Sequence, residues 1–289
     1  MGGEKLEKSL GMKDIHQLGF VKLLDVMGND EEVENSARIS YGEGTRKVNQ
    51  TRNLIRYLMR HKHTSPFEMC EVKFHLKLPI FIMRQLVRHR TANLNEYSGR
   101  YSVMSNEFYL PEGDYLAKQS TTNKQGREEE VLPNKGSLQF EFNRIYDNAT
   151  IAYQVLLEED LSRELARAVL PVANYTECIW KIDLHNFFHF VKLRSDSHAQ
   201  REIRDYADVM YELVKPNYPL CCEAFEDYIQ GATTFSKQEM GVIKELLEYA
   251  DTKAALAGMS VKGAGVLESK LGKRESKEFL EKIRKGDAE

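Results

Sequence analysis

The sequence predicts an α+β protein: a mixed or antiparallel sheet flanked by helices. Three observations point there. Val72, Phe74, Leu76 and Leu78 alternate with Lys73, His75 and Lys77, the period of a strand with one buried face. Thr176, Cys178, Trp180 and Ile182 repeat that alternation. Helical segments with caps and breakers fill the intervals, and no GxGxxG turn, P-loop or GxSxG elbow occurs. Any nucleotide is therefore held outside a Rossmann turn.

Taken in order, residues 1–16 read as a polar, loosely held start. Residues 20–27 are apolar enough for a strand, and Gly28, Asn29 and Asp30 make a turn. Asp30 is expected to cap a short helix to about Ser40. Residues 46–60 form a second helix with Val48, Thr51, Ile55, Leu58 and Met59 near one face. Residues 61–68 are a polar turn held by Pro66. Pro79 closes the first alternating strand and suits the first turn of a helix, which runs to about Arg90. Its apolar face is read as Ile80, Met83 and Val87, while Arg84 with Arg88 and Gln85 with His89 point elsewhere. Residues 91–99 read as an ordered loop, 101–110 as extended, and 111–136 as a polar surface insertion. Residues 138–158 are a long helix, and 162–170 a shorter one stopped by Pro171. Asp183 caps a helix over 184–193. Ser195 or Ser197 caps the next, to about Val214, and residues 221–230 form a short helix. Ser236 with Glu239 makes a capping box ahead of a helix to about Ala257. A glycine-containing linker (258–265) and a charged helix ending near Lys285 follow. This divides the chain into an N-terminal extension (1–16), a main domain (17–230) and a helical C-terminal extension (231–289).

With 289 residues, 42% hydrophobic and 29% charged, the chain can bury a sizeable core. A sequence pI near 6.3 argues against a dedicated nucleic-acid binder. Cys70, Cys178, Cys221 and Cys222 make no CxxC pair, which reads as reduced thiols and a cytoplasmic location. The first residues lack an apolar signal region, and the longest apolar stretches are too short to span a membrane.

Residues 84–101 hold the densest set of anion-binding groups. Arg84, Arg88, Arg90 and Arg100 against Glu96 give a local charge of +3, in a chain of formal charge -3. Arginine forks bind phosphates and carboxylates bidentately. Gly99 allows close backbone approach beside Ser98, and Glu96 can orient the arginines. A solvated or salt-bridged face would explain one arginine, but it explains four with Gln, Asn, Glu and Ser less well. Ser98 lacks an adjacent base and an elbow motif, so it reads as an anion ligand rather than a nucleophile. His61 and His63 form an HxH without a completing Asp or Cys. His185 and His189 have the i, i+4 spacing of a zinc helix, but Asn186 replaces the glutamate such a site needs, so no metal is expected. Two rival readings are a phosphodiester-handling or RNA-binding protein using the Arg/His cluster, and a zinc hydrolase at His185 and His189.

The stretch also resembles the flavin-dependent thymidylate synthases, whose hallmark is RHR, seven residues, then Ser. Here that is Arg88-His89-Arg90, seven residues, Ser98. HKHTSPFE from His61, PIFIMRQ to Gln85, RELARAVLP from Arg163 and LRSDSHAQREI from Leu193 are similar to family blocks in the same order. The match spans about residues 17–230. Asn93 stands where the family usually has serine. The resemblance implies the thymidylate synthase-complementing fold with a non-Rossmann flavin site. It implies methylation of dUMP to dTMP, with FAD reduced by NADPH, methylenetetrahydrofolate as carbon donor, and a homotetramer with shared active sites. By position it puts Gln85, Leu86, Val87, Arg88, Glu96, Tyr97, Ser98, Gly99, Arg100, Arg167 and Arg194 on dUMP. It puts Ser65, Arg88, His89, Arg90, Glu96, Asp183, Leu184, His185 and His189 on FAD. His63 falls near flavin and folate. Arg194 is the implied catalytic group, on the pyrimidine edge.

Overall fold

The computed structural model describes residues 9–39, 51–121, 126–249 and 274–279. The chain divides into two units, Met1–Gly231 and Ala232–Glu289. The first unit is built on a five-stranded antiparallel sheet in the order β1-β2-β3-β7-β4. Its strands are β1 (Gly11–Ile15), β2 (Gly19–Met27), β3 (Glu71–Pro79), β4 (Asn93–Glu96) and β7 (Tyr175–Asp183). The two alternating segments seen in the sequence are the central neighbours β3 and β7, paired from Glu71 with Asp183 to Pro79 with Tyr175. Their inward residues Val72, Phe74, Leu76, Leu78, Cys178, Trp180 and Ile182 are all buried. Phe187 and Phe190 of α7 (Leu184–Arg194) cover this face, Phe187 stacking on Phe74 at 5.8 Å and Phe190 edge-on to Trp180 at 5.3 Å. Helix α8 (Arg201–Val214) adds Ile203, Tyr206, Ala207, Met210 and Val214 to the same core.

The structure revises several sequence expectations. The supposedly loose start contains β1, which pairs along its length with β2. The first helix, α1 (Asp30–Arg38), is capped by Asn29, whose side chain accepts from Glu32 N at 3.0 Å. The Asp30 carboxylate is instead buried and accepts from Leu220 N at 2.8 Å and Cys221 N at 3.0 Å. It thereby caps a different helix, α9 (Pro219–Phe225). Helix α2 (Thr51–Arg60) matches the described part of the second predicted helix; 46–50 lie outside the described residues. Pro66 lies inside a one-turn helix, α3 (Ser65–Glu68). Helix α4 (Ile80–Leu86) stops four residues early and buries Ile82, Met83 and Leu86, leaving Val87 exposed. The predicted loop 91–99 contains β4, bonded to β7 as an edge strand. Helix α8 starts after Gln200, not after Ser195 or Ser197.

The polar insertion is pinned by its own charges. It carries strands β5 (Ala117–Gln119) and β6 (Arg127–Val131). Arg127 pairs with buried Glu202, Arg201 with Asp114 at 2.8 Å, and Tyr115 OH donates to Asp205 at 2.6 Å. Helix α5 (Lys135–Glu158) then leads to α6 (Arg163–Ala166) and a tighter turn, Arg167–Val169. Tyr153 of α5 anchors a small second core with Met104 and Ala166, its hydroxyl accepting from Met104 N at 3.1 Å. All four cysteines are free and buried. Burial pushes the Cys70 thiol up to about 11 and Cys178 and Cys222 up to about 12, so they behave as core residues rather than nucleophiles.

In the second unit, α10 (Lys237–Tyr249) begins with the predicted capping box: Glu239 accepts from Ser236 N at 2.7 Å and Ser236 Oγ from Glu239 N at 3.3 Å. Residues 274–279 are helical; the predicted linker 258–265 and the helix continuations beyond 249 and 279 lie outside the described residues.

Candidate active site

The end of β7 and the start of α7 build one half of the site. Asp183 caps α7 as expected, accepting from Asn186 N at 2.9 Å and from Asn186 Nδ2 at 2.7 Å. Both carboxylate oxygens are thus engaged locally. Helical spacing then brings Asn186, His189 and Arg194 to a common cavity of about 270 Å³, completed by Arg88, His89 and Arg90. Arg194 Nε donates to His89 Nε2 at 3.0 Å, and the His89 ring stands edge-on to Phe190 at 5.0 Å.

That hydrogen bond fixes the protonation of His89. Its Nε2 accepts, so the neutral ring carries its proton on Nδ1. Burial, followed by the Arg194 and His189 charges, lowers its pKa to about 4. The folded pKa lies below the ordinary 6.5, so as pH falls from 6.5 towards 4 the unfolded chain takes up this proton first. This group therefore costs stability over that window and none above it. The His89 ring resonance in an NMR titration is expected to stay in its neutral position down to about pH 5; a midpoint near 6.5 would contradict the geometry.

Arg194 itself is held below its ordinary value by burial and by the like charge of Arg88. Among the described residues no carboxylate bonds to Arg88, Arg90 or Arg194. A cavity edged by uncompensated guanidinium groups suits an anion or the electron-rich edge of a ring. A second cavity of about 220 Å³ shares His189 and adds His63, His185, Phe67, Phe188 and Phe225.

The other half of the predicted set is grouped elsewhere. Edge strand β4 ends at Glu96, which accepts from Thr176 Oγ1 at 2.9 Å. Tyr97 N donates to Glu177 O at 2.8 Å and its hydroxyl to Val103 O at 2.9 Å. Ser98 O accepts from Tyr101 N and Ser102 N, both at 3.1 Å, which closes a turn. Gly99 is buried in that turn. A Cβ there would meet Met104 Sδ at 2.7 Å and Arg167 Cδ at 3.0 Å, so a larger residue would have to push those two side chains aside for the loop to keep its place against Arg167. Arg100 pairs with Glu164 at 3.0 Å, and Arg163 donates to Tyr101 O at 2.7 Å. Ser98 Oγ accepts from Arg100 N at 3.4 Å, and among the described residues of the chain no histidine bonds to it.

These two groups lie at different levels of β7. Thr91 shares the first cavity with Ile182, whereas Tyr97 is bonded to Glu177. Five residues of strand separate those levels, roughly 16 Å at 3.3 Å per residue. Arg88, His89, Arg90, Asp183, His189 and Arg194 are therefore together, and Glu96, Tyr97, Ser98, Gly99, Arg100 and Arg167 are together further along the strand. Gln85 stands one turn before Arg88. Leu86 and Leu184 are core residues, 1% and 0% exposed, so only their backbone could meet a ligand. Ser65 is exposed at the start of α3, and His63 lies in the second cavity beside Tyr57. The sequence reading missed Asn186, which lines the first cavity, and Glu164, which fixes Arg100. Asn186 could have been found from its i, i+3 spacing to His189. Among the described residues no three His, Cys, Asp or Glu side chains are grouped to hold a metal.

Residues 22–220 match the model of the thymidylate synthase complementing protein family. The chain is 50% identical over 240 residues to a flavin-dependent thymidylate synthase of Treponema denticola, covering 81% of this chain and 89% of the relative. It is 48% identical over 268 residues to one from Ehrlichia ruminantium, covering 91% and 85%. Among solved structures it resembles the UMP/dUMP methylase PolB of Streptomyces cacaoi bound with 5-Br dUMP, at a TM-score of 0.69 and 31% identity, over 75% of this chain and 99% of that one.

Proposed function

This chain belongs to the thymidylate synthase complementing protein family, and from that premise we propose that it is a flavin-dependent thymidylate synthase that methylates dUMP to dTMP. The observation that carries the reading is the Arg88–Arg194 pair, two cations with no carboxylate partner among the described residues, at one cavity beside a neutral histidine. Arg194 gives its Nε to His89, which leaves both terminal amino groups for the pyrimidine edge. A guanidinium there favours ionisation at N3 without losing its own proton, and negative charge reaches C5 for attack on the methylene carbon. His89 positions that guanidinium and is not itself a proton donor at neutral pH.

The residues suit a flavin. The α7 N-terminus with His185, the guanidinium groups of Arg88 and Arg90, and two cavities sharing His189 offer anion contacts and apolar ring surfaces. FAD is the flavin proposed, held by Ser65, Arg88, His89, Arg90, Glu96, Asp183, His185, His189 and the backbone of Leu184, with His63 nearby. When bound and reduced by NADPH it supplies the hydride, and methylenetetrahydrofolate supplies the carbon.

dUMP is proposed to contact Gln85, Val87, Arg88, Arg194 and the Leu86 backbone from one chain, and Glu96, Tyr97, Ser98, Gly99, Arg100 and Arg167 from another. In one chain the two groups sit at levels of β7 roughly 16 Å apart, and supplying them to each site from two chains is the arrangement proposed. A homotetramer with shared sites unites them. No helix among the described residues is long and apolar enough to cross a membrane, and the enzyme is proposed to act in the cytoplasm through the 17–230 domain, with 231–289 as an appended helical segment. Purified protein supplied with FAD is expected to show flavin absorbance and to form dTMP from dUMP, methylenetetrahydrofolate and NADPH. Colourless protein that takes up no FAD and makes no dTMP would overturn the assignment.

A further inference from the structure

A chain of hydrogen bonds behind the site has a fixed direction, and its anchor is Glu202. This carboxylate is buried on α8 and takes donors on both oxygens. Tyr109 OH donates to Oε1 at 3.0 Å, while the Arg127 guanidinium and Gln200 Nε2, the latter at 3.0 Å, donate to Oε2. Paired with an arginine, the carboxylate only accepts. Gln200 must then turn its NH2 group towards Glu202 and its carbonyl oxygen outward. That oxygen accepts from Gln85 Nε2 at 2.6 Å. Gln85 in turn commits its NH2 side to Gln200, and its own carbonyl oxygen faces away. Neither amide has a preferred orientation by itself; the anionic end of the chain sets both.

We propose that Gln200, backed by Glu202, is a positioning residue for nucleotide binding: it locks the Gln85 amide so that its Oε1 is presented as an acceptor to a hydrogen-bond donor of dUMP. The inference rests on the reading of Gln85 as a dUMP ligand. Gln200 lies outside the set expected to touch substrate or flavin, and it acts only through its neighbour. Tyr109 reinforces the direction, because burial and the Glu202 charge hold its hydroxyl proton in place far above the ordinary phenol range.

The test is a double-mutant cycle with the flavin-loaded enzyme, using wild type, Gln85→Ala, Gln200→Met and the double variant, read as KM for dUMP and kcat. Gln200 is exposed, so the methionine variant is expected to fold with wild-type Tm and flavin content. Each single variant is expected to raise KM for dUMP about three- to tenfold with kcat nearly unchanged, the size of one lost hydrogen bond. The double variant should be no worse than Gln85→Ala alone, because Gln200 has nothing left to position. A wild-type KM for Gln200→Met, or two effects that multiply in the double variant, would overturn the positioning role while leaving Gln85 as a ligand. A wild-type KM for Gln85→Ala would remove Gln85 from the substrate site and the inference with it. A purely structural role for Gln200 would instead lower Tm and flavin content and raise the KM for methylenetetrahydrofolate as well.

Discussion

The Arg194→Ala enzyme is expected to form dTMP at least about 10²- to 10³-fold more slowly than wild type, the scale of losing one charge-stabilising group aimed at a developing anion. Its fold should survive. Arg194 is partly desolvated and repelled by Arg88, so its removal relieves two unfavourable interactions and breaks only the bond to His89. Circular dichroism and Tm should therefore match wild type while product formation, measured by chromatography, collapses. Arg194→Lys should recover little. An ammonium is a point donor on a flexible stem and cannot offer a planar pair of N–H groups while also holding His89. Turnover by Arg194→Ala within a few-fold of wild type would take Arg194 out of the chemistry.

Mixing two inactive variants should restore activity. Arg100→Ala removes a guanidinium from the group near Glu177, and Arg194→Ala removes one from the group near Ile182. If each dUMP site takes one group from each of two chains, both homo-oligomers lack a contact at every site. Co-assembled chains contain some sites in which both contacts are intact and others in which both are missing. Dissociating and reassembling an equal mixture is expected to recover on the order of a quarter of wild-type activity under random pairing. A mixture as inactive as its components would show that both groups act within one chain and would overturn the shared site.

What could be read from the sequence followed where the residues carry a period. β3 and β7 alternate strictly because one face meets the core, so both were visible. β4 was not, because Asn93, Leu94, Asn95 and Glu96 are all exposed and an edge strand without a buried face has no alternation to read. The end of α4 was overestimated because Arg84/Arg88 and Gln85/His89 keep helical spacing beyond Leu86, where the chain turns towards β4. Asp30 had the composition of a cap, but a buried carboxylate serves whichever amides the fold brings to it, and those lay on α9. The site residues were legible as a motif. Their division between two levels of β7 was not, since the seven residues between Arg90 and Ser98 could equally have folded back as a loop. Run out along a strand, they carry the two groups apart.

The bond between Asp30 and the start of α9 spans 190 residues of sequence. On a ribosome adding about 5–20 residues per second, the amides that neutralise this buried carboxylate emerge roughly 10–40 s after it. Through that interval α1 can form its backbone turns, yet burying an uncompensated anion opposes its docking. Strand β2 can pair with β1 and β3 once Pro79 has emerged, but the α8 residues that pack against it come almost as late as α9. The nascent chain therefore leaves the apolar face of strand β2 without its α8 cover until nearly the whole of the first unit has been made. That favours a single late closure over stepwise growth from the N-terminus, and the waiting strand is the segment a chaperone would meet first.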